Sequence, residues 1–424
     1  MAMWQGISEA SAFSFDKDDR FYVKDSENTE FSSKEKLIRA VLQIWANQGH
    51  SAVSARALSR ATELPTSSIY HHFGSMEQLF QSAQGYAHDA ARIWCSRKLE
   101  EMNGWPKNGG VDSLARALAI LIDDWTTECR DLAFAWSQCH LLAQRDETYV
   151  AAIDAWRDHW AAFWRELCGQ AGLGRFAAMT SHIFEATAQF QLMRWHRTID
   201  RAALDEFCMG WGRWLAGELA EEGPWRRHAR EQALASAPEV AVQNGVAAAI
   251  SIAAADIVEE GGVAALTHRA VAARAQVTLG VTSYNFRTSA DLVRAAFNDI
   301  YQRLIQPLEK PVTPVDRDVP IVAWRDFGSQ PRRLAAMEEL MLAVAQDPDL
   351  RDFAPQLRYL RGRSSRTLLA GKLGGDAPIS PLDAAIYSCL VSGQRRALIG
   401  RSEAEIHANL DEMDLLIAGL RAGL

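Results

Sequence analysis

The sequence repeats itself. Residues 49–80, GHSAVSARALSRATELPTSSIYHHFGSMEQLF, align without a gap on residues 262–293, GVAALTHRAVAARAQVTLGVTSYNFRTSADLV, at a constant offset of 213. Gly49 falls on Gly262, Ala57 on Ala270, Leu64 on Val277, Phe73 on Phe286 and Leu79 on Leu292. The preceding segments match in pattern, Leu37, Ile44 and Trp45 being answered by Ile250, Ile257 and Val258. A repeat of this length at one fixed offset implies a duplicated unit, so any fold assigned to one copy must serve for both.

Apolar residues recur at helical spacing almost throughout, as in Leu37, Val41, Ile44 and Trp45, or Leu114, Leu118, Leu121, Ile122 and Trp125. No convincing alternating strand pattern follows residue 32, so the expected fold class is all-α. Each copy reads as three short helices. The first, about 34–47 or 247–260, stops near a glycine that can adopt a left-handed cap. The second starts after Ser54 or Thr267, whose hydroxyls can accept an amide hydrogen bond. A tight connection around Glu63-Leu64-Pro65, or Gln276-Val277-Thr278, leads into a third helix, Thr66–Phe73 or Leu279–Phe286. That layout suits a helix-turn-helix, in which the third helix enters a major groove of DNA.

Here the sequence resembles the TetR family of bacterial one-component regulators. The residues that carry the resemblance are a glycine among small residues, then Ser/Thr-x-Arg-Ala-Leu/Val-Ala/Ser, with Ile69-Tyr70-His71-His72-Phe73-Gly74-Ser75 in the first copy. The second copy has Ala265-Leu266-Thr267-His268-Arg269-Ala270-Val271-Ala272, followed by Gly280 and Tyr284-Asn285-Phe286. The match covers about 50 residues per copy. The resemblance implies two tandem units, each a three-helix DNA-binding domain followed by a helical effector-binding and dimerisation domain. Such a chain is a covalent pseudo-dimer, a monomer offering two reading heads to a double-stranded operator, with further dimerisation left open.

A reading helix needs short polar groups for base edges and hydroxyls or imidazoles for phosphates. In the first copy these are Thr66, Ser67, Ser68, Tyr70, His71 and His72, supported by Ser54 and Arg56. In the second they are Gly280, Thr282, Ser283, Tyr284 and Asn285, supported by Thr267 and Arg269. The two phenylalanines, Phe73 and Phe286, read as core. The lysine that many relatives place where the fourth helix begins is replaced by Met76 and Ser289, which removes one phosphate anchor from each copy. Over residues 33–80 five Lys and Arg face three Glu, a net charge of +2, whereas residues 246–293 carry three Arg against four acids, a net −1. Phosphate affinity comes chiefly from Lys and Arg, so the first unit is expected to dominate binding although the whole chain carries −8.

The remaining sequence divides into an acidic arm (1–32), a first helical block (81–225), a basic linker (226–238, after Pro224), the second DNA-binding unit (239–300), a Pro-rich linker (301–320) and a second helical block (321–424). By the resemblance, helices near 176–196 and 203–220 pair with 380–398 and 403–421 in a four-helix bundle, with Gly210, Gly212 and Gly393 permitting close approach. The first block is rich in tryptophan. Trp125, Trp136 and Trp160, with His182 and Gln189, form the candidate site for an aromatic or lipid-like effector, since indoles offer flat apolar faces and one donor; the same indoles also suit a packed core.

With 48% hydrophobic and 23% charged residues in a 424-residue chain, the composition is that of a multi-domain globular protein. The six cysteines form no CxxC or CxxH pair, so buried reduced thiols are expected and neither a metal nor a cofactor is called for. No HExxH, phosphate-binding glycine loop or GxSxG elbow points to an enzyme. The absence of a signal peptide or an apolar run of membrane length places the chain in the cytoplasm by expectation. A regulator, in the family chiefly an effector-responsive repressor, is the reading. Its rival is an interaction protein of the same shape that no longer binds DNA.

Overall fold

The computed structural model describes residues 13–15, 21–23, 31–105, 109–236, 245–305, 331–363, 365–375 and 377–423. A short antiparallel pair, β1 (Phe13–Phe15) and β2 (Phe21–Val23), lies in the N-terminal arm, with Phe13 opposite Val23. From residue 33 onward the described chain is helical. The first half comprises α1 (Ser33–Gln48), α2 (Ala55–Thr62), α3 (Ser67–Phe73), α4 (Met76–Glu101), α5 (Gly110–Thr127), α6 (Arg130–Ala143), α7 (Val150–Gln170), α8 (Ala177–Gln191), α9 (Arg197–Leu215) and α10 (Pro224–Ala235). The second half comprises α11 (Val246–Gly261), α12 (His268–Arg274), α13 (Leu279–Asn285), α14 (Ser289–Ile305), α15 (Pro331–Gln346), α16 (Ala354–Tyr359), α17 (Ser365–Leu373), α18 (Pro381–Leu398) and α19 (Glu403–Ala422).

The helix ends are written locally. Ser32 opens α1 with a capping box: its hydroxyl accepts the Glu35 amide at 3.2 Å while the Glu35 carboxylate accepts the Ser32 amide at 3.0 Å. Ser380 with Asp383 opens α18, and Ser402 with Glu405 opens α19, in the same way. The apolar stripe Leu37, Val41, Ile44 and Trp45 of α1 is buried, against α4 and α6. Its counterpart α11 packs on α14 and α15.

One apolar core runs through both halves. The four helices expected to form a bundle do meet: α8 lies along α18, while α19 touches α8 and α9. Gly393 on α18 sits where a Cβ would fall on the carbonyl oxygen of His182, and a Cβ on Gly210 would lie 2.8 Å from Leu382. Gly212 serves a different contact, against Ala115 of α5.

Polar groups also tie the seam. The buried Asp383 carboxylate accepts from the Trp214 indole and from the Ala220 amide, both at 2.8 Å. Arg396, 1% exposed, bonds Glu185 of α8 and Glu338 of α15 at 3.2 and 3.1 Å, and Arg395 pairs with the same Glu338. A buried charge is tolerable only when paired in this manner.

Two expectations need correction. The segment read as a linker from residue 226 is a helix, α10, to Ala235. Pro224 stands at its first turn, where a missing amide and a fixed φ favour initiation, so the proline that looked like a breaker is a starter. Glu206 accepts the free amides of Trp225 and Arg226, and Ala229 and Ala233 are buried in packing that joins α9 and α16. In the Pro-rich stretch, residues 301–305 complete α14, and Pro307, Pro311, Pro314 and Pro320 lie outside the described residues. All six cysteines are buried free thiols.

Candidate nucleic-acid interface

The two three-helix units share a backbone signature. Gly49 and Gly262, closing α1 and α11, have φ of 85° and 78° with nearly identical ψ. Glu63 and Gln276, following α2 and α12, are the non-glycine residues with positive φ among the described residues, at 60° and 55°. Each pair is separated by the repeat offset of 213. Side chains at positive φ are held there only when the surrounding turn requires it. In the first unit the turn is pinned by Ser59, whose hydroxyl donates to the Leu64 carbonyl at 2.6 Å.

Ser54 and Thr267 are N-caps, accepting the amides of Ala57 and Ala270 at 3.2 and 3.1 Å. The structure thus commits both hydroxyls to starting the second helix. The Trp45 indole donates to Nδ1 of His50 at 3.1 Å, and burial lowers the His50 pKa, keeping that nitrogen an acceptor. This ties the connection between α1 and α2 to the last turn of α1.

On α3, Ile69 and Phe73 turn inward at i, i+4 spacing and are buried. The same turn of helix leaves Thr66, Ser67, Tyr70, His71 and His72 exposed, with Ser68 half-buried. Tyr70 is 56% exposed, a large aromatic held outward by a short helix. Thr66 makes no capping bond, so its hydroxyl is not committed to the helix. Arg56 is exposed on α2. Lys34, which the sequence reading counted only as charge, lies with its ammonium 5.8 Å from the Phe73 ring, beside the end of α3. Its position on the first turn of α1, two helices earlier in the chain, gave no local hint of that proximity.

The second unit presents a different face. Gly280, Ser283, Tyr284 and Asn285 are exposed, Tyr284 by 84%. Thr282 is not available: it is fully buried, and its hydroxyl donates to the Thr278 carbonyl at 3.4 Å. Thr282 occupies the register of Ile69, so the repeat itself assigned it to the core. The Asn285 amide donates to the Val281 carbonyl at 2.8 Å, and Thr278, unlike Thr66, caps its helix. Arg269 is exposed, whereas Arg274 pairs with Glu260 and lies 3.9 Å from Asp256. Three of the four acids of this unit, Asp256, Glu259 and Glu260, thus lie on α11, where Arg303 of α14 also pairs with Asp256 and Glu259.

Of the effector-site candidates, Trp125, Trp136 and Trp160 do come together. Their ring centroids are 5.0 Å apart for Trp125 and Trp160, 5.2 Å for Trp136 and Trp160, and 6.5 Å for Trp125 and Trp136. The rings pack on one another, and each indole N–H lacks an acceptor among the described residues. His182 instead turns to the second half, its Nε2 lying 3.1 Å from Oδ1 of Asn409 on α19. Gln189 is buried on the same helix, its side-chain nitrogen without a partner among the described residues.

Among the described residues no helix is long and apolar enough to cross a membrane. No curated protein matches the chain. Residues 37–83 match the family model described as bacterial regulatory proteins, tetR family. The matched span runs from the buried face of α1 through α2 and α3 into α4, so the first three-helix unit is a helix-turn-helix DNA-binding domain of the kind those regulators carry.

Proposed function

We propose that the chain is an effector-responsive transcription regulator, chiefly a repressor, that reads an asymmetric operator with two unlike helix-turn-helix units of one polypeptide. The observation that carries this reading is the paired backbone signature, Gly49 with Gly262 and Glu63 with Gln276, set beneath dissimilar reading faces. Two such heads in one chain replace the two identical heads of a homodimer, and successive major grooves lie roughly 34–36 Å apart. Unlike faces require unlike half-sites. The packing of α8 on α18 supports a pseudo-dimer closed within one chain, acting in the cytoplasm where DNA is reached.

The effector is proposed to act through the helical block, with the acceptorless indoles of Trp125, Trp136 and Trp160 favouring a flat ligand that carries hydrogen-bond acceptors. Helix α15 touches α1, α6, α11 and α14, giving a change in the block a route to both heads.

The test is selection of genomic fragments at low salt, followed by binding to the enriched site over a salt series. Tyr70→Ala and Arg56→Ala should each weaken binding at least tenfold, and Arg56→Ala should also reduce the salt slope by about one. Tyr284→Ala should weaken one half-site selectively. Failure to enrich any fragment would end the reading. A second reading, that the second unit contacts protein and not DNA, draws on its net negative charge and on the exposed Leu279 and Tyr284 of α13. It predicts that Tyr284→Ala leaves operator affinity untouched.

A further inference from the structure

Among the described residues three arginines are buried, and two of them meet a carboxylate. Arg396 meets Glu185 and Glu338, and Arg358 meets Asp200 at 2.9 Å. Arg226 on α10 is 8% exposed, yet its guanidinium makes no hydrogen bond and no ion pair with a described residue. Its contacts are the ring faces of Phe207 and Tyr359, at 5.2 and 5.9 Å. The nearby carboxylates are already engaged: Asp200 by Arg358 and the Tyr359 hydroxyl, Glu222 by Arg230, and Glu206 by backbone amides. A buried cation without a counter-charge is strongly disfavoured unless something else supplies the charge.

Arg226 lines a cavity of about 30 Å³ between the two halves, walled also by Arg361, Thr187 and Gln191. That volume holds roughly two waters or one small anion. The Thr187 hydroxyl, from α8, meets no oxygen or nitrogen partner among the described residues and lies against the Cys389 thiol, so it and the Arg226 Nε line one space from different helices. The guanidinium of Arg361 crosses the Phe190 ring 4.2 Å away and donates to Ser392. Arg358, Tyr359 and Cys389 complete the polar part of the wall, and the rest is apolar, including Leu204 and Phe207.

We propose that this cavity is a carboxylate-binding site, with the guanidinium fork of Arg226 holding the two oxygens and the Thr187 hydroxyl donating to one of them. A planar carboxylate matches the fork geometry and supplies the missing charge. The carboxylate belongs either to a free small acid or to the end of a longer one whose apolar tail leaves through the open side of the cavity. Because α8, α9, α10, α16 and α18 all border the site, occupancy bears directly on the seam between the halves. Only the role of the acid as an effector rests on the regulator reading.

The experiment is a saturation titration of the full chain with ¹³C-labelled acetate and, separately, hexanoate, in a buffer free of other carboxylates, with chloride as control. Saturable acetate binding that Arg226→Gln weakens at least tenfold is expected, while Arg226→Lys, which keeps the charge and loses the fork, weakens it several-fold. Hexanoate binding more tightly than acetate identifies the end of a longer acid; equal binding identifies a free small acid. No saturable binding of either, binding unchanged in Arg226→Gln, or chloride competing as well as acetate overturns the proposal. Circular dichroism establishes folding of each variant, and if Arg226→Gln does not fold, the Arg226→Lys titration decides. Carboxylate binding is measured without DNA, so a chain that binds acetate but no operator sinks the regulator reading and leaves this site standing.

Discussion

The side-chain amide of Gln346, at the end of α15, donates to the backbone carbonyl of Trp45 at 2.7 Å. This one bond carries the second half of the chain onto the first DNA-binding unit, at the last turn of α1 where helix carbonyls lack intrahelical partners. Arg130 makes a companion contact, donating to the Ala345 carbonyl at 2.9 Å. Replacing Gln346 with Ala should lower stability by about 1 kcal/mol, the usual net value of such a bond, and uncouple the first unit from changes in the helical block. Urea denaturation reads the first effect. Hydrogen exchange at the end of α1 reads the second, and unchanged protection there would count against the coupling.

Gly393 and Gly371 make opposite predictions. Gly393→Ala places a methyl on the His182 carbonyl and should separate α8 from α18, lowering stability by at least about 3 kcal/mol. Gly371, in α17, has nothing within 4 Å of an added Cβ, so Gly371→Ala should stabilise by about 0.5–1 kcal/mol. Thermal melts of the two variants separate a seam that needs glycine from a helix that merely contains it.

The paired left-handed residues give a symmetric test. Glu63→Gly and Gln276→Gly each remove a non-glycine side chain at positive φ, and both should be neutral to stabilising by up to about 1 kcal/mol despite the flexibility glycine adds to the unfolded chain. Alanine at either position should show no such gain. A marked loss at one site alone would mean that its side chain does more than occupy the turn.

Burial sets the response to acid. Desolvation, then the nearby Arg396, lowers the His140 pKa to about 4, and desolvation lowers that of His182 to about 4. Their folded pKa values lie below the unfolded value near 6.5, so the unfolded chain binds more protons between about pH 6.5 and 4. Stability should therefore be complete above pH 6.5 and fall as the pH drops toward 4, by roughly 2–3 kcal/mol for each ring. The check is urea denaturation at pH 7 and pH 5. His182→Gln, which can still bond Asn409, should flatten part of the slope; an unchanged slope would exonerate that ring.

Glu338 sits between Arg395, Arg396 and His140, and these neighbours hold its carboxyl far below the ordinary range despite burial. Glu338→Gln leaves Arg396 with Glu185 alone and should cost about 3 kcal/mol, whereas replacing Glu338, Arg396 and Glu185 together by Leu, Met and Gln should recover much of that loss, since no charge of the Arg396 cluster is then left buried without its partner. Chemical denaturation of the single and triple variants gives the comparison. Equal destabilisation in both would show that the shape of the site, and not its charge, is what matters.

Much of the fold was legible along the chain because its signals are local. The apolar spacing of Leu37, Val41, Ile44 and Trp45, the caps Ser54 and Thr267, and the glycines at 49 and 262 act within a few residues, and the repeat doubled each signal. The outward face of α3 followed from its run of short polar residues and from Phe73 read as core, and the structure adds Ile69 as the second inward residue. Thr282 was misread because its polarity was given more weight than its register opposite Ile69. Pro224 was misread as a break because proline both ends and begins helices, and only the packing of Ala229 and Ala233 distinguishes the two. Other relationships have no local signal at all. Lys34 beside Phe73, Gln346 on Trp45, the meeting of Glu338 with Arg396, and the isolation of Arg226 join residues tens to hundreds of positions apart. Helix identity is decided by hydrogen bonds and side-chain spacing within a turn or two. Which charge ends up buried beside which partner depends on how whole helices pack, and that is a property of the tertiary structure alone.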